Sequence, residues 1–583
     1  MQINLHQTHH EIGDFEGVFK YITSVFQNQN AQGVHLFPEL FLTGYPLQDL
    51  VLKKTFIEEY HSLLTDLTLW TKNHLQSKNP LLILFGGLRY ELDPSGNPLK
   101  IENVIYQITP AHAPEVVYTK QLLPNYDLYE EKKYFSPGNQ NTVIDFEGKK
   151  IALLVCEDMW FSHLHTHDPV EELKKQNEFY DLIVNFSASP FHLEKDERRV
   201  KRAREISTYL QAPFCYINRV GAEDEIIFDG QSFVVNGEML IKKAQSFKAE
   251  ILSFTLMEYR QINSNITYTK KAISWEEIFD TRIDPKTKLI EELGDDKCNL
   301  ILNALMFSIH DYASKNGMNK FLVALSGGMD SALVVTILAL LKDKYKEINN
   351  RPIEIETVYM PGFYSSSLSY DLSFDLCQKL KIKLTSFPIK FIHSTIRNNY
   401  RENFHTELKE LADENIQSRL RGSLIYARSN QMGSMVLNTS NKSEIAVGYS
   451  TLYGDSVGAL SVLGDLYKTE VYELALYINR FYNNIIPNDI IARPPSAELR
   501  DNQTDEESLP PYDILDPILE SLISMRYSPQ DLINMGYKAD QVNKVFNLYA
   551  KSEYKRRQFC PIIKIKPKSF GFGHRVPISK KPF

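Results

Sequence analysis

Cysteine is scarce in this chain: five residues in 583, at Cys156, Cys215, Cys298, Cys377 and Cys560. The number is odd, the spacing is wide and no two stand as CxxC, which argues against a disulfide framework or a cysteine zinc site. A reducing compartment fits such usage. Long apolar runs are missing as well. The longest, Ala332 to Leu341, has ten residues, whereas about 18 are needed to cross a bilayer. The opening MQINLHQTHHEIGDFEG has neither the basic stretch nor the apolar core of a secretory leader. These features predict a cytoplasmic chain with no membrane segment.

What is present is ordinary for a globular protein: 43% hydrophobic and 24% charged residues, with no repeat and no low-complexity tract. At 583 residues the chain should form more than one unit. Its net charge of −8 gives the whole no attraction to nucleic acid or anionic membrane. The charge is uneven, however. From Lys551 to Phe583 seven Lys and three Arg face one acid, Glu553, so this tail carries +9 and the remainder −17.

Up to about residue 260, short apolar or alternating runs recur between turn residues, among them GVHLFPE, LLILFGG, KIALLVC, DLIVNFS and QSFVVN. They predict a strand-rich α/β layer. Helix is expected over Leu193 to Leu210, with the basic cluster of EKDERRVKRAREISTYL as a solvated face. Apolar periodicity lapses around TYTKKAISWEEIFDTRIDPKTK, so 261–285 is the expected linker between a unit at 1–260 and one at 286–583. In the second unit KFLVAL, IEIETVYMP, KLTSFPI and SMVLNTS alternate with helical stretches, which predicts a parallel, doubly wound sheet.

Three polar residues stand where apolar strands end: Glu39 closing HLFPE, Lys120 closing VVYTK and Cys156 closing IALLVC. Singly, a cysteine after an apolar strand is usually a small core residue, which is the reading for Cys215. Together the three suggest amide hydrolysis. A lysine ammonium lowers a thiol pKa, and a carboxylate can take the thiol proton and later activate water. Glutamine hydrolysis would use Cys156 to form a thioester, Glu39 as general base and then acid, and Lys120 to stabilise the oxyanion.

FPELFLTGYP, YTKQLLPNY and CEDMW resemble the three signature segments of the nitrilase-type amidases, and most closely those of the glutaminase domain of glutamine-dependent NAD synthetases. The resemblance covers nearly all of 1–260 and implies an α-β-β-α sandwich. It also implies that Glu131 is a supporting second glutamate and that Tyr126, Glu157, Ser189 and Lys195 line a glutamine pocket. One departure is Glu194, where the family commonly carries glycine before the basic residue.

Ser326-Gly327-Gly328-Met329-Asp330-Ser331 follows the strand FLVAL and opens a long helix. Glycines admit close backbone approach, and the N–H groups at a helix start attract polyphosphate. No Gly-Lys-Ser/Thr follows, so this is not a Walker A loop. SGGMDS resembles the loop of the ATP pyrophosphatases, in which the aspartate helps hold Mg²⁺. VYMPGFYSS, LNTSNKSEIAVGYSTLYGD and YKTEVYELA resemble NAD synthetase segments in the expected order. That resemblance covers nearly all of 286–583 and implies a Rossmann-like sheet of the adenine nucleotide alpha hydrolase kind. It implies ATP contacts from the loop, Thr439 and Lys468, metal contacts from Asp330 and Glu444, and dinucleotide contacts from Asn415, Gln417, Arg419, Arg421 and Lys555. The acidic stretch Asp505-Glu506-Glu507 is expected as a solvated loop, with substrate contact as the lesser alternative, and SEYKRRQ resembles a segment that closes over the site.

The two halves together imply a glutamine-hydrolysing NAD synthetase. By that resemblance ATP would activate the carboxylate of deamido-NAD (nicotinic acid adenine dinucleotide) as an adenylate, and ammonia from glutamine would attack it. The implied partners are glutamine, ATP with Mg²⁺ and deamido-NAD, in a cytoplasmic homo-oligomer without nucleic acid or membrane. The alternatives are an ATP pyrophosphatase that amidates or thiolates tRNA, and a nucleotide-binding regulator with a decayed amidase.

Overall fold

The structure of the chain, a computed structural model, describes residues 1–27, 31–75, 79–110, 112–161, 165–259, 268, 290, 292–496, 498–500, 503 and 505–581. It divides into two compact units, Met1–Ile278 and Phe279–Phe583. Of the expected linker 261–285, only Tyr268 is among the described residues.

The first unit holds two six-stranded sheets. One runs Glu250–Thr255, Gln2–Gln7, Gly33–Leu36, Leu81–Leu92, Pro98–Ile108, Glu115–Thr119; the other runs Met239–Lys243, Phe233–Asn236, Phe214–Asn218, Leu182–Ser187, Lys149–Val155, Val143–Phe146. Their inner faces meet through Ile3, Leu36, Leu84 and Ile105 on one side and Leu153, Val184 and Ile217 on the other. The outer face of the first sheet packs on the helices Phe15–Val25 and Lys54–Asn73, and that of the second on Pro169–Lys175 and Lys195–Leu210. With both faces covered, the central strand Leu182–Ser187 is buried throughout and is apolar at four of its six positions, with no alternation of apolar and polar faces. This is the α-β-β-α sandwich.

The helix Lys195–Leu210 departs from expectation. Its basic residues are not all solvated: Arg199 is 1% and Arg202 7% exposed. A buried guanidinium needs a partner. Arg199 has Asp229, at 2.8 and 3.0 Å from Nη1, while Arg202 Nε donates to Met159 O at 2.8 Å and Nη1 to Glu205 at 2.9 Å.

The second unit is built on a five-stranded parallel sheet in the order Leu384–Ser386, Glu354–Tyr359, Lys320–Ala324, Met435–Asn438, Leu460–Ser461. The chain reverses direction across the sheet between Lys320–Ala324 and Met435–Asn438, the switch point where open α/β sheets bind ligands. There the loop passes into the helix Met329–Tyr345. Gly327 has φ +80°, and a Cβ on it would stand 2.5 Å from Ser369 O, so glycine is required.

Candidate active sites

In the first unit Cys156 leaves the strand Lys149–Val155 and begins the 3-10 turn Cys156–Met159 with φ +46°. A left-handed backbone on a residue other than glycine costs about 1–3 kcal/mol and persists only when its surroundings enforce it. Asp158 does so. Its Oδ2 accepts from Val155 N at 2.9 Å and Tyr118 Oη at 2.8 Å, and its Oδ1 from Gln121 N at 3.1 Å and Leu122 N at 2.8 Å. One buried carboxylate thereby ties the cysteine turn to the chain just beyond Lys120.

Lys120 Nζ, fully buried, lies 2.7 Å from Glu39 Oε1 and 2.9 and 2.8 Å from the two oxygens of Glu131. Glu39 also accepts from Asn103 Nδ2 at 2.8 Å and, on Oε2, from Ala188 N at 2.8 Å. Tyr45 Oη donates to Glu131 Oε1 at 3.1 Å. Burial pushes Glu131 up to about 7 against the pull of Lys120, and the two carboxylates hold the Lys120 ammonium well above its ordinary pKa in spite of burial. Cys156 feels the same charges. Burial, then Glu39, push the thiol up, and the opposing effect of Lys120 is the smaller. The expected lowering by Lys120 is therefore outweighed, and the balance of burial and charge favours the protonated thiol.

Next to the thiol, Glu157 accepts from Tyr126 Oη at 3.1 and 2.9 Å and pairs with His165 Nε2 at 3.1 Å. Lys195 Nζ lies 5.8 Å from the Trp160 ring centroid. Burial, then Arg199 and Arg198, bring Lys195 down to about 8, opposed by Glu157 and Cys156. Ser189 N donates to Asn218 Oδ1 at 2.9 Å, and its carbonyl and hydroxyl oxygens accept from Arg199 Nη2 at 2.9 and 3.2 Å. Glu194 has φ +68°, which is why a glycine suits that position, and the helix bearing Lys195 still starts there.

In the second unit a cavity of about 280 Å³ opens at the switch point, lined by the loop residues Ser326, Gly328, Met329, Asp330 and Ser331 together with Thr439, Glu444 and Lys468. Lys468 Nζ pairs with Asp330 Oδ2 and lies 3.4 Å from Glu444 Oε1. Asn441 Nδ2 donates to Asp330 Oδ1 at 3.0 Å, and its Oδ1 caps the helix Lys442–Val447 by accepting from Glu444 N at 3.0 Å. Burial lifts Glu444 to about 8 against the pull of Lys468, with Asp330 and Asp505 adding to the rise. Among the described residues no group of three or more His, Cys, Asp or Glu forms a metal cage. Two carboxylates facing a cavity fit Mg²⁺, which is usually held by one or two carboxylates plus substrate phosphates.

Asp505 corrects the expectation of a solvated acidic loop. It is 5% exposed, lines the same cavity and accepts from Tyr512 Oη at 2.9 Å. Of the dinucleotide residues only Arg421 lines the cavity, with Nε donating to Met360 O at 2.9 Å. Asn415, Arg419 and Lys555 converge instead on the segment 448–452. Asn415 Oδ1 accepts from Thr451 Oγ1 at 2.7 Å, Arg419 Nε donates to Leu452 O at 3.1 Å, and Lys555 Nζ donates to Gly448 O and Ser450 O at 2.7 and 2.6 Å. Gln417 is buried and donates to Leu499 O at 3.1 Å. Sequence reasoning missed Asp158, Tyr45, Asn103, His165 and Asn441. Asp158 inside CEDMW, Tyr45 inside FPELFLTGYP and Asn441 inside LNTSNKSEIAVGYSTLYGD stood within segments already singled out, whereas Asn103 and His165 did not.

Two family models match the chain, carbon-nitrogen hydrolase over residues 5–259 and NAD synthase over 301–559. The glutamine-dependent NAD(+) synthetase of Aquifex aeolicus is 35% identical over 606 residues, covering 100% of both chains. The chain belongs to the glutamine-dependent NAD(+) synthetases. Among solved structures, the glutamine-dependent NAD+ synthetase from Acinetobacter baumannii in complex with ADP is 29% identical with a TM-score of 0.68, covering 99% of this chain and 98% of that one. The Cytophaga hutchinsonii enzyme shares the fold at 19% identity, with a TM-score of 0.76 and coverage of 100% and 98%. The chain is thus a carbon-nitrogen ligase that takes its nitrogen from glutamine, a fused glutaminase and NAD synthetase. Nothing in these matches supports the tRNA reading. No helix among the described residues is long and apolar enough to cross a membrane.

Proposed function

We propose that Cys156, Glu39, Lys120 and Glu131 carry glutamine hydrolysis and that the cavity at Ser326–Ser331 carries the ATP-dependent amidation of deamido-NAD. The observation that supports the first most directly is the buried Lys120 ammonium held between Glu39 and Glu131 at 2.7 and 2.8 Å. Glu39 takes the thiol proton as Cys156 sulfur bonds to the amide carbon of glutamine. Lys120 stabilises the tetrahedral oxyanion, and the proton returns from Glu39 to the departing ammonia. Water, deprotonated by Glu39, then cleaves the thioester to glutamate. Glu131 fixes Lys120. Tyr126, Glu157, Ser189 and Lys195 orient glutamine, with Lys195 suited to its α-carboxylate and Glu157 to its α-ammonium.

In the second unit the loop amides and the start of the helix Met329–Tyr345 receive the phosphates, and Thr439 and Lys468 complete the ATP contacts. Asn415, Gln417, Arg419, Arg421 and Lys555 serve deamido-NAD. Its carboxylate displaces pyrophosphate from ATP to form an adenylate, and ammonia displaces AMP to give the amide of NAD. Asp330 and Glu444 would hold Mg²⁺, which when bound neutralises phosphate charge. The working protein is a cytoplasmic homo-oligomer.

The test is Cys156→Ala, assayed for NAD from deamido-NAD and Mg-ATP with glutamine or ammonium. Loss of the glutamine-supported rate with survival of the ammonium-supported rate is expected. Retained use of glutamine would remove Cys156 from the mechanism.

A further inference from the structure

The expectation of a segment closing over the site concerns SEYKRRQ alone, and the basic chain beyond it is placed differently. The NAD synthase match ends at residue 559, and the chain continues through PIIKIKPKSF. Pro561–Ile563 adds to the edge of the five-stranded sheet: Ser461 N donates to Pro561 O at 2.8 Å and Ile563 N to Ser461 O at 3.2 Å. Ile563 and Ile565 are fully buried, and Ile562 and Phe570 nearly so.

The polar groups of this strap are buried with it. Asp465 Oδ2 accepts from Ile565 N and Lys566 N, both at 2.7 Å, and its Oδ1 lies 2.9 Å from Lys442 Nζ. Lys442 Nζ also donates to Lys568 O at 2.5 Å. Lys566 Nζ pairs with Glu470 Oε1 at 2.6 Å. Glu520 is held below its usual range, against burial, by Lys566 and Lys442.

The attachment points sit beside the ligase residues. Lys442 opens the helix Lys442–Val447, one residue after Asn441, which bonds Asp330, and two before Glu444. Glu470 lies in the first turn of the helix Lys468–Phe481, where its Oε2 accepts from Tyr467 N at 2.8 Å and so fixes the turn that presents Lys468. Lys442 N donates to Leu466 O at 2.8 Å, joining the two helix starts.

We propose that Pro561–Phe570 is a positioning element of the ligase site: its amides and Lys566 hold Asp465 and Glu470, and with Lys442 these set where Glu444 and Lys468 stand against Asp330. The inference rests on the reading of Asp330, Glu444 and Lys468 as the ATP group. Misplacing catalytic groups by about 1 Å costs on the order of 100-fold in rate, so loss of one anchor should be visible in the chemistry.

Full-length Lys566→Met and Lys566→Arg are compared with the parent for ammonium-supported NAD synthesis at varied ATP, and for glutamine hydrolysis without ATP or deamido-NAD. The expectation is a fall of about 10- to 100-fold in kcat/KM for ATP in Lys566→Met, recovered largely by Lys566→Arg, with basal glutamine hydrolysis within about twofold. If Lys566→Met yields no folded protein, Asp465→Asn is measured by the same criteria. A variant with lowered Tm but kcat/KM for ATP within twofold of the parent would make the strap a mere brace and overturn the proposal. Asp330→Asn run alongside separates the two ideas: retained ligation there would sink the ATP assignment itself, whatever the strap variants do.

Discussion

Lys120 Nζ stands 2.7 Å from Glu39 Oε1, both side chains essentially without solvent, although 81 residues separate them in the chain. Burial first, and then the Glu39 carboxylate, push the neighbouring Cys156 thiol up, and in the proposed mechanism Glu39 takes its proton. Glu39→Gln keeps an oxygen for Lys120 and Asn103 and removes the base. Glutamine-supported NAD synthesis should fall by about 10²–10⁴-fold while the ammonium-supported rate is unchanged. Parallel steady-state assays with the two nitrogen sources check this, and an equal fall in both would place Glu39 elsewhere.

Lys195 offers a pH test. With its folded pKa lowered from 10.5 to about 8, it surrenders its charge in the native state before it does in the unfolded chain. Keeping it charged below about 8 therefore costs stability, and that penalty disappears as pH rises from about 8 towards 10.5. Glutamine binding should move the other way, KM rising above about pH 8 as the charge is lost. Lys195→Arg should carry a flat KM to higher pH than the parent. Identical profiles would show that Lys195 does not meet the substrate.

Arg199 bears on stability and on Ser189 together. Arg199→Met would leave Asp229 buried, with Gln231 Nε2 at 3.0 Å as its nearest remaining donor. Breaking a buried ion pair from one side costs about 3–5 kcal/mol. Urea unfolding should show a loss of this size in the transition that includes the first unit, and a change below about 1 kcal/mol would mean that Arg199 is not compensating Asp229.

Glu194→Gly should act in the opposite sense. A left-handed backbone costs a residue with a Cβ about 1–2 kcal/mol, and glycine returns part of that gain through its greater freedom when unfolded. The net expectation is a stabilisation of up to about 1 kcal/mol with KM for glutamine unchanged, read from denaturant midpoints and a glutamine titration. A destabilised variant would show that the Glu194 side chain matters more than its backbone.

The sequence by itself determined the local parts. Apolar runs bounded by turn residues marked the strands Gly33–Leu36, Leu81–Leu92, Lys149–Val155 and Leu182–Ser187, because burial on both faces demands continuous apolar segments. Strand ends marked Glu39, Lys120 and Cys156, and a glycine pair between an apolar strand and a long helix marked the loop at Gly327. Those signals are contiguous in the chain, so one sequence displays them.

Only the tertiary structure decided which charges are buried and with whom. Arg199 and Arg202 lie in a stretch as polar as any solvated helix, and they leave water because Asp229, 30 residues after Arg199, and Met159 O, 43 residues before Arg202, come to meet them. Asp505 belongs to a sequence that reads as loop, yet it is buried beside the cavity, with Tyr512 Oη donating to it at 2.9 Å. Lys566 reads as part of a basic tail until Glu470 is found 2.6 Å away. A charge becomes buried only when a partner compensates its desolvation, and where the partner is remote in sequence that balance has no local signature.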